Sequence, residues 1–162
     1  MTDTTPAKRR ALLAFMLDRP GVLNKVAMLI RRKMYNVETL TVCKTNQPGT
    51  SRMTITLREA SDAKMLQVVK QIEKITEVIS AKELDMDESF WREVAVIKFE
   101  ADAACLASLQ NVYRFEVLDN HSDERFVVQV AGTSQLIDDF VRDVGADKIV
   151  EVARSGFTAI EK

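Results

Sequence analysis

The sequence is poor in the residues that metal and disulfide sites require. It contains one histidine, His121, and two cysteines, Cys43 and Cys105, which lie far apart without a CxxC motif. Structural zinc sites need about four Cys or His ligands, and disulfide frameworks need several cysteines at regular spacings. The sequence therefore predicts neither a metal site nor a disulfide framework.

An excess of either charge is also absent, and so are long apolar runs. The 23 Lys and Arg residues nearly balance the 24 Asp and Glu residues, which leaves a net charge of -1. Nucleic-acid partners are disfavoured because nothing would hold a phosphate backbone. Residues 1–10 contain no apolar leader, and no stretch approaches the roughly 20 apolar residues of a membrane span. We expect a cytoplasmic protein with no membrane contact.

The third absence is that of catalytic motifs. The sequence has no GxxxxGK[ST], no GxGxxG and no His-Cys pair beside a serine turn. These absences predict that the chain is not an enzyme. Scattered carboxylates could still meet in space, so a small enzyme on a ferredoxin-like scaffold remains the less favoured alternative.

What the sequence does contain is a repeated pattern of strands and helices, with 46% hydrophobic residues to form their cores. In the first half, apolar runs, alternation and helical spacing predict the order βαββαβ. Its first helix has an apolar stripe of Leu23, Val26, Ala27, Ile30 and Met34. The predicted strands are 11–17, 37–43, 52–57 and 77–84. The first predicted helix has its stripe at 23–34, and the second is capped by Ser61 or Asp62 and has its stripe at 65–75.

An acidic linker at 85–89 separates this half from a second one with the same order. There the predicted strands are 92–99, 115–117, 126–130 and 148–154. The predicted helices are 103–112 and one that is capped by Thr133 or Ser134, has its stripe at 136–144 and ends at Gly145. A βαββαβ unit forms a four-stranded antiparallel sheet with both helices on one face. We therefore predict an α+β fold of two tandem ferredoxin-like units, with domains at 10–84 and 90–156. The other face of each sheet needs a cover. Either the two halves shield one another or sheet edges and faces pair between chains, and both possibilities favour a homodimer.

One turn carries a chemical signal. The run Asp18-Arg19-Pro20-Gly21-Val22-Leu23 brings a strand end, a tight turn and a helix N-terminus together. Helix N-termini attract carboxylates, Gly21 permits close approach to its backbone, and Asp18 could accept bonds from an ammonium group. These features suit a free amino acid. The alternative is structural, with Asp18 capping the helix, Pro20 opening its first turn and Gly21 relieving the bend.

Several stretches, in their order and spacing, resemble a known family. Residues 18–23, 35–42 and 51–55 resemble the N-terminal ACT domain of bacterial acetohydroxyacid synthase (acetolactate synthase) small subunits. In the second half, the stretches that resemble the same proteins are 92–94, 129–133 and 148–156.

The resemblance implies a function without an active site. It implies a regulatory subunit that binds the large catalytic subunit, raises its activity and confers feedback inhibition by valine. That enzyme serves the biosynthesis of the branched-chain amino acids valine, leucine and isoleucine. The cofactors thiamine diphosphate, Mg and FAD are then expected only on the catalytic partner. The resemblance further implies that residues 10–84 sense the amino acid and dimerise, while residues 90–156 contribute to activation.

The resemblance also implies where the effector binds. In the family, valine lies between two ACT domains that pair side by side. The implied contacts are Asp18, Gly21, Val22 and Leu23 of one chain with Asn36 and Val37 of the partner subunit. The residues alone leave open whether Asn36 lies beside the turn of its own chain.

Family members commonly have Asn at the position of Asp18, and a carboxylate there attracts the ammonium but repels the carboxylate of an amino acid. A different tandem ACT-like sensor, acting on another enzyme or a transcription complex, remains the alternative function.

Overall fold

The computed structural model describes residues 8–122 and 124–162, with the backbone alone at 121 and 122. The chain divides into two compact units. The first runs up to Phe90 and takes in Phe157–Lys162 again at the end of the chain, and the second consists of Trp91–Gly156.

The first unit is a four-stranded antiparallel sheet with the strand order β2-β3-β1-β4. This order is that of a ferredoxin-like βαββαβ unit. Its elements are β1 (Lys8–Leu17), α1 (Val22–Arg32), β2 (Val37–Lys44), β3 (Thr50–Glu59), α2 (Asp62–Glu73) and β4 (Val78–Leu84).

The core of this unit lies between the sheet and its two helices. Because strand side chains alternate between faces, every second residue of β1 and β3 points toward the helices. On α1 the buried residues are Val22, Val26 and Ile30, whereas Leu23 is 45% and Met34 is 91% exposed. The predicted stripe is therefore partly wrong, because the core-facing side of α1 is rotated toward Val22. Leu23, Ala27 and Met34 of the predicted stripe are left exposed.

The second unit repeats this order with the sheet β6-β7-β5-β8. Three phenylalanines, Phe99, Phe126 and Phe140, lie in its core, and the ring of Phe99 has its centroid about 6 Å from each of the other two. The predicted fold class, two βαββαβ units with antiparallel sheets, is confirmed. The elements are β5 (Ser89–Glu100), α3 (Ala103–Val112), β6 (Phe115–Ser122), β7 (Arg125–Gly132), α4 (Ser134–Val144) and β8 (Ile149–Arg154).

A ninth strand, β9 (Thr158–Glu161), is not predicted from the sequence. It pairs with β5, and the amide of Lys162 donates to the carbonyl of Glu88 at 3.0 Å. This bond places the pairing at the beginning of β5. A segment of four residues is too short to give a periodic signal of its own.

Candidate functional site

The turn between β1 and α1 is held by its neighbours through the backbone. The amide of Leu17 donates to the carbonyl of Glu77 at 2.8 Å, and the amide of Asp18 donates to the carbonyl of Gly49 at 2.8 Å. These two bonds connect the turn to the residue before β4 and to the loop between β2 and β3. The main chain of the turn is therefore fixed by the sheet that surrounds it.

Gly21 is the residue at which the turn becomes a helix. Its φ is 86° and its ψ is -11°, a left-handed conformation that residues with a side chain rarely adopt. A Cβ built on Gly21 would have no heavy atom of the described residues within 4 Å. The glycine is thus required by its backbone angle, and the space beside it is open.

The N-terminus of α1 has no cap from a side chain of the described residues, and its first turn contains no acidic residue. The N–H groups of a first helical turn carry partial positive charge and attract a carboxylate. The structural alternative for Asp18 is wrong, because Gly21 is the N-cap and the helix begins only at Val22. Pro20 likewise lies before the helix, outside its first turn.

Charges of both signs surround the turn. The Asp18 carboxylate lies 3.6 Å from Lys44 Nζ, and both side chains are exposed, so this pair contributes little to stability. Lys25 Nζ donates to Glu77 Oε1 at 2.5 Å. The hydrogen bond from Lys25 is the main cause that lowers the pKa of Glu77, and the nearby charge of Arg19 acts in the same direction. A zwitterion would find groups of both charges here.

Two neighbouring predicted site residues have different roles in the structure. Val22 is 3% exposed and its side chain belongs to the core, while its backbone N–H donates to the carbonyl of Arg19 at 3.4 Å. Leu23 is 45% exposed, so its side chain is free to touch a ligand or another chain. The four turn residues Asp18, Gly21, Val22 and Leu23 thus lie together at one end of the sheet.

Asn36 and Val37 lie at the opposite end of the same sheet. In the strand register, Val37 is opposite Leu57, which pairs with Arg10 near the start of β1. The turn follows the other end of β1, and the 11 residues of α1 separate the two places by about 16 Å. The structure therefore does not bring Asn36 and Val37 next to the turn of their own chain.

A groove opens between the end of α1 and the start of β2. Its volume is about 640 Å³, and its wall is mostly apolar, with Ala27, Ile30, Arg31, Met34, Tyr35, Asn36, Val37 and Leu40 around it. Met34 has a φ of 58°, in the position after a helix where glycine is favoured. The amide of Tyr35 bonds back to Ile30, as in a Schellman motif. An exposed methionine is thus kept where glycine would be less strained.

Sequence reasoning missed Lys44 and Glu77, although both lie close to the turn. Lys44 reaches Asp18 because the end of β2 is next to β3, and Glu77 is placed by its backbone bond to Leu17. Only strand register brings these residues together, and a single sequence carries no direct signal of register. The positions of these two charges beside the turn therefore could not be predicted from the sequence.

Among the side chains of residues 8–120 and 124–162, no group of three or more His, Cys, Asp or Glu is arranged to hold a metal ion. In the same part of the chain, no helix combines the length and apolar character that crossing a membrane would require.

Comparison with known proteins covers both units. A family model described as an AHAS small subunit-like ACT domain matches residues 12–80, and one described as the small subunit of acetolactate synthase matches residues 92–162. The acetolactate synthase small subunit of Mycolicibacterium smegmatis is 33% identical over 100% of this chain and 95% of its own length. This chain belongs to the acetolactate synthase small-subunit family. The isozyme 3 small subunit of Escherichia coli is 35% identical over 95% of this chain and 96% of its own length.

The structural comparison agrees with this family. The crystal structure of the acetolactate synthase small subunit from Thermotoga maritima superposes with a TM-score of 0.86 at 26% identity, covering 96% of this chain and 98% of that one. A member of the family is a regulatory subunit, and catalysis lies in the large subunit. The chain is accordingly a non-catalytic partner of an acetolactate synthase large subunit, with an ACT domain in its first half.

Proposed function

We propose that this chain activates the large subunit of acetolactate synthase and makes it sensitive to inhibition by valine. Family membership over the whole chain supports the activating role. The observation that carries the sensing role is the uncapped N-terminus of α1 beside the open space at Gly21. The domains would divide the work, with residues 10–84 sensing the effector and residues 90–156 contributing to activation.

The effector site requires a homodimer in this proposal. The turn residues and the Asn36–Val37 segment lie at opposite ends of one sheet, and β2 is at its edge. When two edge strands pair antiparallel about a two-fold axis, opposite ends of the two sheets come together. The turn of one chain would then face Asn36 and Val37 of the partner subunit. The uncovered Leu23 and Met34 would add apolar contact at this interface.

Each part of a free amino acid would find a complementary group. The carboxylate would bind the first-turn N–H groups of α1, and the ammonium group would bind Asp18. The side chain would enter the groove beside Val37, whose wall includes Ile30 and Leu40. A branched aliphatic side chain suits this wall because its affinity derives from apolar area removed from water. Lys44, near Asp18, would offset part of the repulsion between the two carboxylates.

Inhibition would follow from a change in the dimer. A ligand at an interface shifts an equilibrium only by its different affinity for the two arrangements of that interface. A coupling of about 1–3 kcal/mol changes the affinity at the linked site by roughly 5- to 150-fold, which is enough for regulation. Valine would thus favour the arrangement in which the large subunit is less active.

The decisive experiment is reconstitution. Acetolactate formation by the purified large subunit is measured while this chain is titrated in, first without and then with valine. We expect the rate to rise with added chain and to fall again when valine is present. A rate that does not respond to the chain would contradict the activating role, and activation that ignores valine would contradict the sensing role. Equilibrium sedimentation tests the dimer separately, with a mass of twice 18.3 kDa expected.

A further inference from the structure

The face of the first sheet that carries no helices is covered. On β1, Leu12, Ala14 and Met16 belong to the core on the helix side. Ala11 and Leu13 alternate with them and therefore point to the other face. They are nevertheless only 1% and 3% exposed. Something must lie over this helix-free face.

Part of the cover is the end of the chain itself. Three strands of the sheet each send a cationic side chain from this face to the C-terminal segment. The Arg9 guanidinium lies 5.4 Å from the centre of the Phe157 ring. Arg52 donates a hydrogen bond to the carbonyl of Ala159, and Lys82 forms an ion pair with Glu161. The strands involved are β1, β3 and β4.

The segment itself has one side buried. Phe157 and Ala159 are 4% and 1% exposed, whereas the residue that follows Ala159, Ile160, is 60% exposed. This alternation is that of an extended segment lying on a surface. The end is tied as well, because Lys162 donates from its amide to the carbonyl of Glu88 and from Nζ to the carbonyl of Asp87.

We infer that Phe157–Lys162, named here the strap, docks on the helix-free face as an integral part of the first unit. The second unit is then an insertion between two pieces of the first. The face recognises an aromatic residue, a small residue two positions later and an acidic residue two positions after that. In this chain these are Phe157, Ala159 and Glu161.

Two arginine substitutions in the full-length chain test the strap. Ala159→Arg places a long charged side chain on its buried side, whereas Ile160→Arg places the same side chain on its exposed side. Hydrogen exchange of the C-terminal peptide is measured by mass spectrometry, and uncovered apolar surface by the fluorescence of added anilinonaphthalene sulfonate. We expect exchange at least 10-fold faster and a rise in fluorescence for Ala159→Arg. Ile160→Arg should remain at the parental values.

A milder variant protects the test against misfolding. Arg52→Gln removes the guanidinium that bonds to Ala159 and leaves the strap residues intact, so exchange should rise by roughly 3- to 10-fold. Parental exchange in both Ala159→Arg and Arg52→Gln would overturn the inference, as would equal loosening by Ile160→Arg. None of these measurements involves valine or the large subunit, so the strap and the proposed function can fail separately.

Discussion

The turns after the first strand of the two units are anchored in the same way, although four residues separate β1 from α1 and only two separate β5 from α3. In each unit, the backbone amides of the last residue of the first strand and of the residue after it donate hydrogen bonds. The accepting carbonyls belong to the residues that precede the fourth and the third strand of the unit. The four bonds, each 2.8–2.9 Å long, are Leu17 to Glu77 and Asp18 to Gly49 in the first unit, and Glu100 to Lys148 and Ala101 to Glu124 in the second. The backbone anchoring of the two turns is therefore the same.

The helix N-termini themselves are open in one unit and closed in the other. In the second unit Asp102 is the N-cap, and its carboxylate accepts a bond from the Cys105 amide at 2.7 Å. In the first unit the N-cap is Gly21, which has no side chain to offer. A carboxylate from the chain already fills the second site, so the comparison favours the first unit as the place where a ligand carboxylate binds.

A second comparison concerns an ion pair that both units build with the charges exchanged. An arginine and a glutamate join the first strand to the last by two parallel bonds, and the arginine also bonds to an aspartate of the second helix. The first-unit residues are Arg10, Glu83 and Asp62, and the second-unit residues are Arg154, Glu93 and Asp138. In both units the hydrogen bond to the glutamate is the main cause that raises the pKa of the arginine.

The exchange of charge leaves the pattern of burial unchanged. The first-strand side chain is buried in both units, with Arg10 6% and Glu93 2% exposed, whereas the last-strand partners Glu83 and Arg154 are 34% and 32% exposed. What the two units share is therefore a buried charge on the central strand and a partly exposed partner. The sign of that charge is opposite in the two units.

The largest effect should come from removing the exposed member of either pair. Glu83→Ala leaves Arg10 buried without its main partner, and Arg154→Ala does the same to Glu93. We expect each to lower the free energy of unfolding by about 2–3 kcal/mol, because the buried charge loses two charge-assisted hydrogen bonds while Arg10 keeps Asp62 and Glu93 keeps Ser134. Urea unfolding followed by circular dichroism measures this loss. If Glu83→Ala lost as little as an exposed surface variant, the pair would not hold the strands together.

Exchanging the charges sharpens the same comparison. The double variant Arg10→Glu with Glu83→Arg gives the first unit the order that the second already has. Because the arginine introduced on β4 could still bond to Asp62, we expect recovery of at least half of the stability lost in Glu83→Ala. Recovery of none would show that the surroundings of each pair, rather than the pair alone, select the sign of the buried charge.

Closing the open helix N-terminus should abolish effector binding. Gly21→Asp gives the first unit a carboxylate beside the helix, as Asp102 does in the second, and we expect valine binding by calorimetry to weaken at least 10-fold. The matched control is Gly21→Ala, which also places a side chain in the left-handed conformation, at about 1–2 kcal/mol, without the charge. A Gly21→Asp protein that binds valine like the Gly21→Ala protein would place the site elsewhere.

The other half of the proposed site predicts a smaller effect. Asn36→Ala removes a polar contact worth about 1 kcal/mol, so half-maximal inhibition should need roughly 5-fold more valine. The reconstituted enzyme supplies the measurement. Activation without valine should stay at the parental level, since Asn36 is exposed and outside the core. Unchanged valine sensitivity would remove Asn36 from the site.

Opening the closed N-terminus is the reverse experiment. Asp102→Ala removes the cap of α3 and should lower the stability of the second unit by about 1 kcal/mol, while Asp102→Asn should restore most of it. We expect no second valine site, because the turn before α3 has Ala101 where the first unit has Asp18. A second binding event in calorimetry would show that an open helix N-terminus is sufficient.

The fold is predictable from the sequence where periodic patterns are long. The helix predicted at 103–112 has the same ends as α3, and both βαββαβ orders agree with the structure. The predicted apolar stripe of α1 is partly wrong, because Val22 and Leu23 are both apolar and only packing decides which is buried. The strand β9 is not predicted, because a segment of four residues is too short to show a regular alternation of apolar and polar side chains.

The candidate site is predictable only in part. The run from Asp18 to Leu23 marks the turn because proline and glycine restrict the backbone. No local pattern indicates the charge-exchanged pairs, whose members are 73 and 61 residues apart in the chain. The strap escapes prediction for the same reason, since Arg52 and Ala159 are 107 residues apart. Contacts over such distances follow from the topology of the fold and not from local pattern.

The smallest predicted effect depends on pH and concerns the position that holds Glu77 in the first unit and Lys148 in the second. The bond from Lys25 keeps the pKa of Glu77 below its ordinary value, so this carboxylate stabilises the folded state more when it is ionised. Its contribution is therefore complete above the pKa of the unfolded chain, near 4.5, and is lost as the pH falls through the lower folded value. Glu77→Gln should thus lower the Tm more at pH 7 than at pH 3. Lys148→Gln is the matched control, because lysine does not titrate between these values and its effect should not change with pH. A Tm difference for Glu77→Gln that is equal at both pH values would show that the Lys25 bond does not stabilise the turn.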